Sequence, residues 1–317
     1  MINDSLGDRM KRYEAVSKTS LVSRMPVIIR LDGCHFHSFC KGFMKPFDPL
    51  LSKTMQATMK YLCENIQGCV LGYTQSDEIT LVLIDYKKLG SSAWFDNEVQ
   101  KMCSVSAALA TYAFNKYFNE FYLERLAEKG EADEYDLVYD KKRRLGAYFD
   151  SRAFNVPREE VANCLLWRQL DAERNSVNAL GQSLFSHKSL QGVGIKELKA
   201  KIEREKGVIW GDLPTTQKRG SCCIKEYLYT LDDGQQVKNK SHITYGNYTG
   251  EFYWDGDGYY FYKTGFKDNI NGIVSDTLGV KLEVKESSKW IIDTNIPRFV
   301  EDRAYIEDLV FPVDEEQ

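Results

Sequence analysis

The sequence predicts an α+β protein: a ferredoxin-like βαββαβ unit, with an antiparallel sheet and helices on one face, followed by an aromatic, strand-rich C-terminal extension. Three observations lead there. Between residues 24 and 182, apolar runs and helical periodicities follow one another as strand, helix, strand, strand, helix, strand, helix. Two of the apolar runs, Cys69 to Tyr73 and Ile79 to Ile84, are separated only by Thr74 to Glu78, which is hairpin spacing with polar residues at the tip. From about residue 188 the character changes, and beyond Cys222 the chain becomes strand-like and aromatic. The expected division is 1–187, carrying the βαββαβ unit and an N-terminal helix, and 188–317, an extension packed on it.

Each element has a local reason. Residues 3–17 read as a helix because Asp4 or Ser5 can cap it and Leu6, Met10 and Tyr13 recur at helical spacing. Arg24 to Leu31 is a buried strand whose β-branched core stops at Asp32-Gly33. Pro49 to Asn65 is an amphipathic helix with Leu50, Leu51, Met55, Met59 and Leu62 on one side. A long helix over 96–126 carries Ser104, Ser106, Ala107, Ala108 and Ala110, small enough for close packing on a sheet. The acidic stretch Glu131 to Asp140 and the basic run Lys141 to Arg144 read as a solvated loop and strand flank, with a phosphate-facing basic edge as the sharper alternative. Ala147 to Val156 is the fourth strand, and Pro157 opens a helix to about 182. In the extension, Lys196 to Lys206 is a charged helix, and two aromatic strands flank Asp255-Gly256-Asp257-Gly258, a hairpin signal read as cross-strand core pairing rather than base stacking.

Composition narrows the function. With 317 residues and 43% hydrophobic content the chain can build a real core, which excludes disorder. Its 42 basic and 46 acidic residues leave a net charge of −4, so a globally basic nucleic-acid coat is excluded while a local basic site is not. The chain has no apolar run long enough to span a bilayer and no signal-like N-terminus, so a soluble, cytoplasmic protein is expected. Eight cysteines without a C-x-x-C pair read as reduced thiols rather than a disulfide framework or zinc cage.

In a βαββαβ sheet the first strand lies beside the third, so Asp32 would meet Asp77 and Glu78. Taken singly, Asp32-Gly33 is a turn after a strand and Ser76-Asp77-Glu78 a solvated hairpin tip. Brought together, carboxylates at strand ends backed by a glycine can hold hard divalent cations. Two Mg²⁺ ions about 4 Å apart activate an attacking oxygen and stabilise a leaving one in nucleotidyl transfer, the logic of a polymerase palm.

The runs R-L-D-G-C-H-F-H (30–37), K-P-F-D (45–48), G-Y-T-Q-S-D-E (72–78), F-D-S-R (149–152) and W-R-Q-L-D-A-E-R-N-S (167–176), in this order, resemble the tRNA-His guanylyltransferase superfamily over roughly residues 4–230. The resemblance implies an enzyme that extends a tRNA from its 5′ end in the 3′-to-5′ direction: ATP or GTP activates the 5′-monophosphate, and the 3′-hydroxyl of an incoming nucleotide then attacks it. It implies Asp32 and Asp77 as ligands of two Mg²⁺ ions with the Gly33 carbonyl as a further oxygen, and Glu78 tuning that site. Asp32, Gly33, Cys34, His35, Phe36 and His37 would line the nucleotide pocket with Ser76 and Asp77, and Lys45, Lys101 and Arg152 would contact phosphates. By itself Lys101 is an ordinary solvent-facing helix residue, and an H-x-H on a short turn reads as packing or ligand hydrogen bonding rather than a metal pair.

Two departures stand out. Phe47 replaces the usual Asn of K-P-N-D, and Glu173, Arg174, Asn175 and Ser176 stand where the guanylyltransferases proper carry H-I-N-N. The sequence therefore resembles the guanylyltransferase-like branch, which repairs truncated tRNA 5′ ends against a template, more than the enzymes that add a single G to tRNA-His. A homotetramer with tRNA and NTPs as partners is implied. The rivals are a palm-type nucleotide cyclase, in which K-P-F-D, F-D-S-R and D-A-E-R-N-S would have no role, and a catalytically inactive RNA-binding protein.

Overall fold

The computed structural model describes residues 5–87, 89–231, 234–237, 243–245, 248–254, 259–263 and 280–311. The first helix, α1 (Leu6–Ala15), is shorter than the expected 3–17; it starts where the Ser5 hydroxyl accepts the Asp8 N–H, and its Leu6, Met10 and Tyr13 remain exposed. Strand β1 (Val27–Gly33) begins later than expected, because Arg24 is left-handed and Pro26 cannot donate, and it runs on through Asp32 and Gly33. A one-turn helix α2 (Phe36–Phe39) follows, then α3 (Pro49–Asn65), whose bounds match the expectation: Asp48 caps it by accepting the Leu51 N–H at 2.9 Å, with Pro49 at its first position.

β2 (Cys69–Gln75) and β3 (Glu78–Leu83) form a tighter hairpin than expected, with only Ser76 and Asp77 between them and Ser76 at φ 50°. α4 (Val99–Lys129) follows a short 3₁₀ turn. The acidic-basic run is not a loop but a helix, α5 (Glu134–Leu145). Asp133 and Asp136 close a capping box at its start, Asp136 is buried against Arg125, and the buried Tyr139 anchors the middle. Alternating charge concealed that cap. β4 (Phe149–Asn155) and α6 (Val161–Leu184) complete the predicted succession.

The sheet order is β2-β3-β1-β4, antiparallel throughout, with Asp32 opposite both Glu78 on β3 and Asp150 on β4. This is the ferredoxin-like arrangement. One face packs on α3 and α4, where Gly72 lies against Met59 and Cys63 and the Phe149 ring meets Phe114 at 5.5 Å. The other face is partly covered as well: Ile28, Tyr73 and Val82 are buried under Val161 and Leu165 of α6 and under Ile296, Phe299 and Ile306 of the C-terminal return, which ends in a short helix. Burying a sheet on both faces explains why its strands read as continuous apolar runs.

The chain forms two compact units, residues 1–224 with 292–317, and 225–291. The first reaches beyond the expected 187/188 boundary because α7 (His187–Leu190), α8 (Ile195–Lys206) and α9 (Thr215–Arg219) belong to it: Leu198 and Ile202 of α8 bury Val177 and Leu180 of α6. β5 (Ser221–Thr230) adds Ser221 to Cys223 beside β2. The second unit holds the outer part of β5, β6 (Gln236–Val237), β7 (Ile243–Tyr245), β8 (Tyr248–Trp254), β9 (Tyr259–Lys263), β10 (Val280–Leu282) and most of β11 (Lys285–Asp293). There β10-β9-β8-β7 form an antiparallel sheet in which Phe252, Tyr253 and Trp254 pair with Phe261, Tyr260 and Tyr259. The predicted turn Asp255 to Gly258 lies outside the described residues. All eight cysteines are free thiols. Among the described residues no helix is long and apolar enough to cross a membrane.

The packing of α3 on the sheet leaves no room at Gly72, where a Cβ would lie 2.6 Å from the Cys63 sulfur and 2.9 Å from Met59 Cγ. Gly72→Ala is expected to lower stability by about 1–3 kcal/mol, the cost of overpacking a filled core. Urea unfolding followed by circular dichroism checks it; a midpoint equal to wild type would show that α3 can shift freely.

Candidate active site

The site is built where β1 ends and the β2–β3 hairpin turns. The Gly33 N–H donates to the Asp77 carbonyl oxygen at 3.1 Å, clipping the hairpin tip to the end of β1. That contact brings the Asp77 side chain to the Asp32 side chain. Burial pushes the Asp77 carboxyl up from the usual carboxylate range, the charge of Asp32 pushes it further, and the Ser76 hydroxyl, donating to Asp77 Oδ1 at 3.0 Å, partly offsets both. Among the described residues no cation side chain forms an ion pair with Asp32 or Asp77, and no group of three or more His, Cys, Asp or Glu side chains is assembled to hold a metal. The donors are two carboxylates and the nearby backbone carbonyl oxygens of Gly33 and Asp77, all hard oxygen. Their unrelieved like charge fits a hard divalent cation such as Mg²⁺ and does not fit a soft one.

Glu78 does a different job. Its carboxylate accepts two hydrogen bonds from the Arg168 guanidinium, Nε to Oε1 at 2.6 Å and Nη2 to Oε2 at 2.7 Å, and both side chains are only 8% exposed. Burial pushes Glu78 up, and the Arg168 hydrogen bonds and charge pull it back. Burial works against the charge on Arg168 too, and Glu78, helped by Asp171 at 3.0 Å, overcomes it. With both oxygens committed to Arg168, Glu78 acts on the site by fixing the hairpin to α6.

The loop after β1 folds back toward α4 and α5. His35 is left-handed at φ 57° and meets Tyr148 edge-on at 6.3 Å, while Cys34 donates its N–H to the Tyr148 carbonyl. His35 and His37 are exposed, whereas Phe36 is a core residue packed on Phe114 and Phe149. A Cβ on Gly33 would lie 2.2 Å from the Phe36 ring, so the tight return of this loop requires glycine. Cys40 sits close enough to Asp77 for that charge, after burial itself, to help push its thiol up to about 12. From α5, Lys142 donates to the Ser38 carbonyl at 2.7 Å, and Arg143 and Arg144 are paired with Asp140 of their own helix. The basic run thus faces the loop through Lys142.

Lys45 is exposed on the loop whose next residues, Pro46 and Phe47, border a cleft with Gln75 and Ser76 at the hairpin tip. Asp48 of the same motif is buried, accepting from the Met44 and Leu51 N–H groups and from the Tyr139 hydroxyl. Arg152 lies on the Asp32 face of β4 and pairs with Asp150 at 3.2 Å. The structure does not bring Lys101 to this group: it pairs with Glu98 at 3.4 Å in the first turn of α4, more than a turn before Ser106, which bonds Ser151. The four residues of E-R-N-S are engaged within the chain. Glu173 accepts from Arg298, Arg174 and Asn175 contact Asp171, and Ser176 accepts the Trp210 indole N–H.

Three participants escaped sequence reasoning. Asp150, opposite Asp32, could have been found by writing out the antiparallel register of β1 and β4 across F-D-S-R. Arg30, two residues before Asp32 on the same face, could have been found by alternation. Arg168 carries no local signal, because its partner Glu78 is 90 residues away.

A family model described as tRNAHis guanylyltransferase matches residues 7–157. The chain is 29% identical over 249 residues to an uncharacterised protein of Acanthamoeba polyphaga mimivirus, covering 75% of this chain and 82% of that one. It is 24% identical over 268 residues to tRNA(His) guanylyltransferase 2 of Arabidopsis thaliana, covering 78% of this chain but only 45% of the plant protein. Among solved structures, a bacterial tRNA(His) guanylyltransferase-like protein in complex with ATP superposes with a TM-score of 0.68 at 34% identity, covering 97% of this chain and 99% of that one. The GTP complex of a bacterial guanylyltransferase-like protein gives 0.64 at 34% identity.

Because Glu78 and Arg168 are buried together, removing one leaves an unpaired charge. Arg168→Met is expected to destabilise by about 3–5 kcal/mol, and the Glu78→Gln/Arg168→Met pair by clearly less than the sum of the two single changes. Denaturant unfolding of the four proteins checks this; additive losses would show that the two side chains act independently.

Proposed function

The chain belongs to the tRNA-His guanylyltransferase superfamily, and from that premise we propose that it is a Mg²⁺-dependent nucleotidyltransferase that adds nucleotides to the 5′ end of a tRNA in the 3′-to-5′ direction, repairing truncated ends against the opposing strand. The observation that carries it is the Asp32–Asp77 pair, clipped together by the Gly33 N–H and answered by no cation side chain among the described residues. Relatives bound to ATP and to GTP support nucleoside triphosphates as substrates.

In the first transfer a 5′-phosphate oxygen of the RNA attacks the α-phosphorus of ATP or GTP and pyrophosphate leaves. In the second the 3′-hydroxyl of the incoming nucleotide attacks the 5′-phosphorus and the activating nucleotide leaves as its monophosphate. Bound Mg²⁺ supplies Lewis-acid stabilisation of the attacking and leaving oxygens in each. Asp32 and Asp77 would hold it. Cys34, His35 and His37 stand exposed or half-exposed beside them, where a triphosphate can approach the loop, and Lys45 is free to reach its charge. Arg168 keeps Glu78 from adding a competing free carboxylate.

Addition of a single G to tRNA-His is the second reading, favoured by the names of the curated relatives. E-R-N-S tilts the choice toward repair, since Glu173 is committed to Arg298. The deciding experiment offers the enzyme ATP, GTP and Mg²⁺ with either a 5′-monophosphorylated tRNA lacking its first nucleotide or an intact tRNA-His. Templated extension of the truncated RNA is expected, and Asp77→Ala should slow it at least about 100-fold, as loss of several kcal/mol of charge stabilisation requires. No extension of the truncated RNA by wild type, or undiminished extension by Asp77→Ala, would overturn the proposal; product from intact tRNA-His alone would select the second reading.

A further inference from the structure

The half of the sheet face that carries Asp32 bears a second set of groups. Arg30 stands on β1 two residues from Asp32, about 7 Å away on the same face, and directly opposite it across the strand pair is Arg152. Two arginines in register repel one another, an arrangement that costs stability unless something negative lies between them. Arg152 is half answered by Asp150. Arg30 makes no ion pair among the described residues, and its buried Nε–H has no hydrogen-bond partner. A buried guanidinium N–H left without an acceptor is a place where a ligand oxygen is wanted.

Over Arg30 stands Trp167 of α6. It is 53% exposed, and guanidinium groups of Arg168 and Arg30 approach its ring at 4.4 Å and 5.6 Å from the centroid. Among the described residues no other aromatic ring stacks on it. An indole backed by cations and open to solvent, beside two arginines, is the combination that binds unpaired nucleotides: the ring takes the base, the guanidiniums take the phosphates. The side of the sheet decides which nucleotide. The loop after β1 packs toward α4 through Phe36 and meets α5 through Lys142, whereas Trp167 stands on the α6 side, over the sheet face that also carries Arg30 and Asp32. A mononucleotide on the loop side and a polymer end on the Trp167 side would meet at Asp32 and Asp77.

We propose that Trp167 is a stacking platform for an unpaired base at the 5′ end of the RNA strand, with Arg30 and Arg152 receiving the phosphates that flank it. This rests on the nucleotidyltransferase reading above. The test measures equilibrium binding of the full chain, with Mg²⁺ and no ATP, to a 3′-fluorescein-labelled, 5′-monophosphorylated RNA hairpin whose 5′-terminal base is unpaired, to the same hairpin with a blunt paired end, and separately to ATP.

Trp167→Ala should raise the Kd for the unpaired end about 5- to 100-fold, in line with the loss of one base stack. Trp167→Phe should recover most of it, the blunt hairpin should be affected at least several-fold less, and ATP binding should stay within about twofold of wild type. Equal RNA binding by Trp167→Ala and wild type overturns the platform, as does a loss of ATP affinity that matches the loss for RNA. Failure of the underlying reading looks different: a Trp167→Ala binding defect confined to the unpaired end, together with a wild-type protein that extends no RNA, keeps the platform and removes the enzyme.

Discussion

Glu78 and Arg168 tie the hairpin to α6, and most of the site's geometry hangs on that contact. Taking a carboxylate and a guanidinium out of water costs several kcal/mol each, which is recovered only when both ends of the fork are matched and the remaining donors find acceptors. Here the match is bidentate, and Asp171 takes a further Arg168 N–H. The pair adds little net stability compared with an apolar packing of the same volume, but it is directional. It fixes Glu78 at the first position of β3, and so fixes the two-residue turn that presents Asp77 to Asp32. On the other side it holds Arg168 over the neighbouring Trp167 ring.

The same pair simplifies the electrostatics. Four carboxylates gather at this end of the sheet: Asp32, Asp77, Glu78 and Asp150. Glu78 is answered by Arg168 and Asp150 by Arg152, which leaves Asp32 and Asp77 without a cation side chain among the described residues, and the charge of Asp32 adds to burial in pushing the Asp77 carboxyl up. The arginines therefore act by subtraction: each cancels one carboxylate locally, which a net charge of −4 over the whole chain does not reveal.

How much of this could be read from the residues follows from the range of each interaction. The hairpin is a short-range consequence of strand length and spacing, and the meeting of Asp32 with Asp77 follows from the βαββαβ order of the apolar runs, which sets the first strand beside the third. Alternation also places Phe252 to Trp254 opposite Tyr259 to Phe261. Glu78 reads from the sequence as tuning the Asp32–Asp77 site, and nothing local to residue 78 announces Arg168 as its partner. Lys101 illustrates the converse: helical periodicity assigns a residue to a face, but not to a level along the sheet, and Lys101 stands at the wrong level. α5 was hidden because its cap, Asp133 with Asp136, lies inside a run of charge that resembles a solvated loop.

The E-R-N-S segment gains its meaning from the C-terminal return. Glu173 on α6 is held by Arg298, with Nε and Nη2 at 3.1 and 3.3 Å from its oxygens, and Arg219 stands 3.8 Å away. A histidine in that position could not answer two guanidiniums, and its protonated form would repel them. The glutamate and the return are therefore mutually dependent: residues 296–310 cover the sheet with Ile296, Phe299 and Ile306, and Arg298, among them, requires an acid on α6. The departure from H-I-N-N is in this view not the decay of a motif. It replaces the histidine of that motif with an internal strut that holds the C-terminal return over the inner half of the sheet face on which Asp32 lies, and leaves the half around Asp32 and Arg30 open.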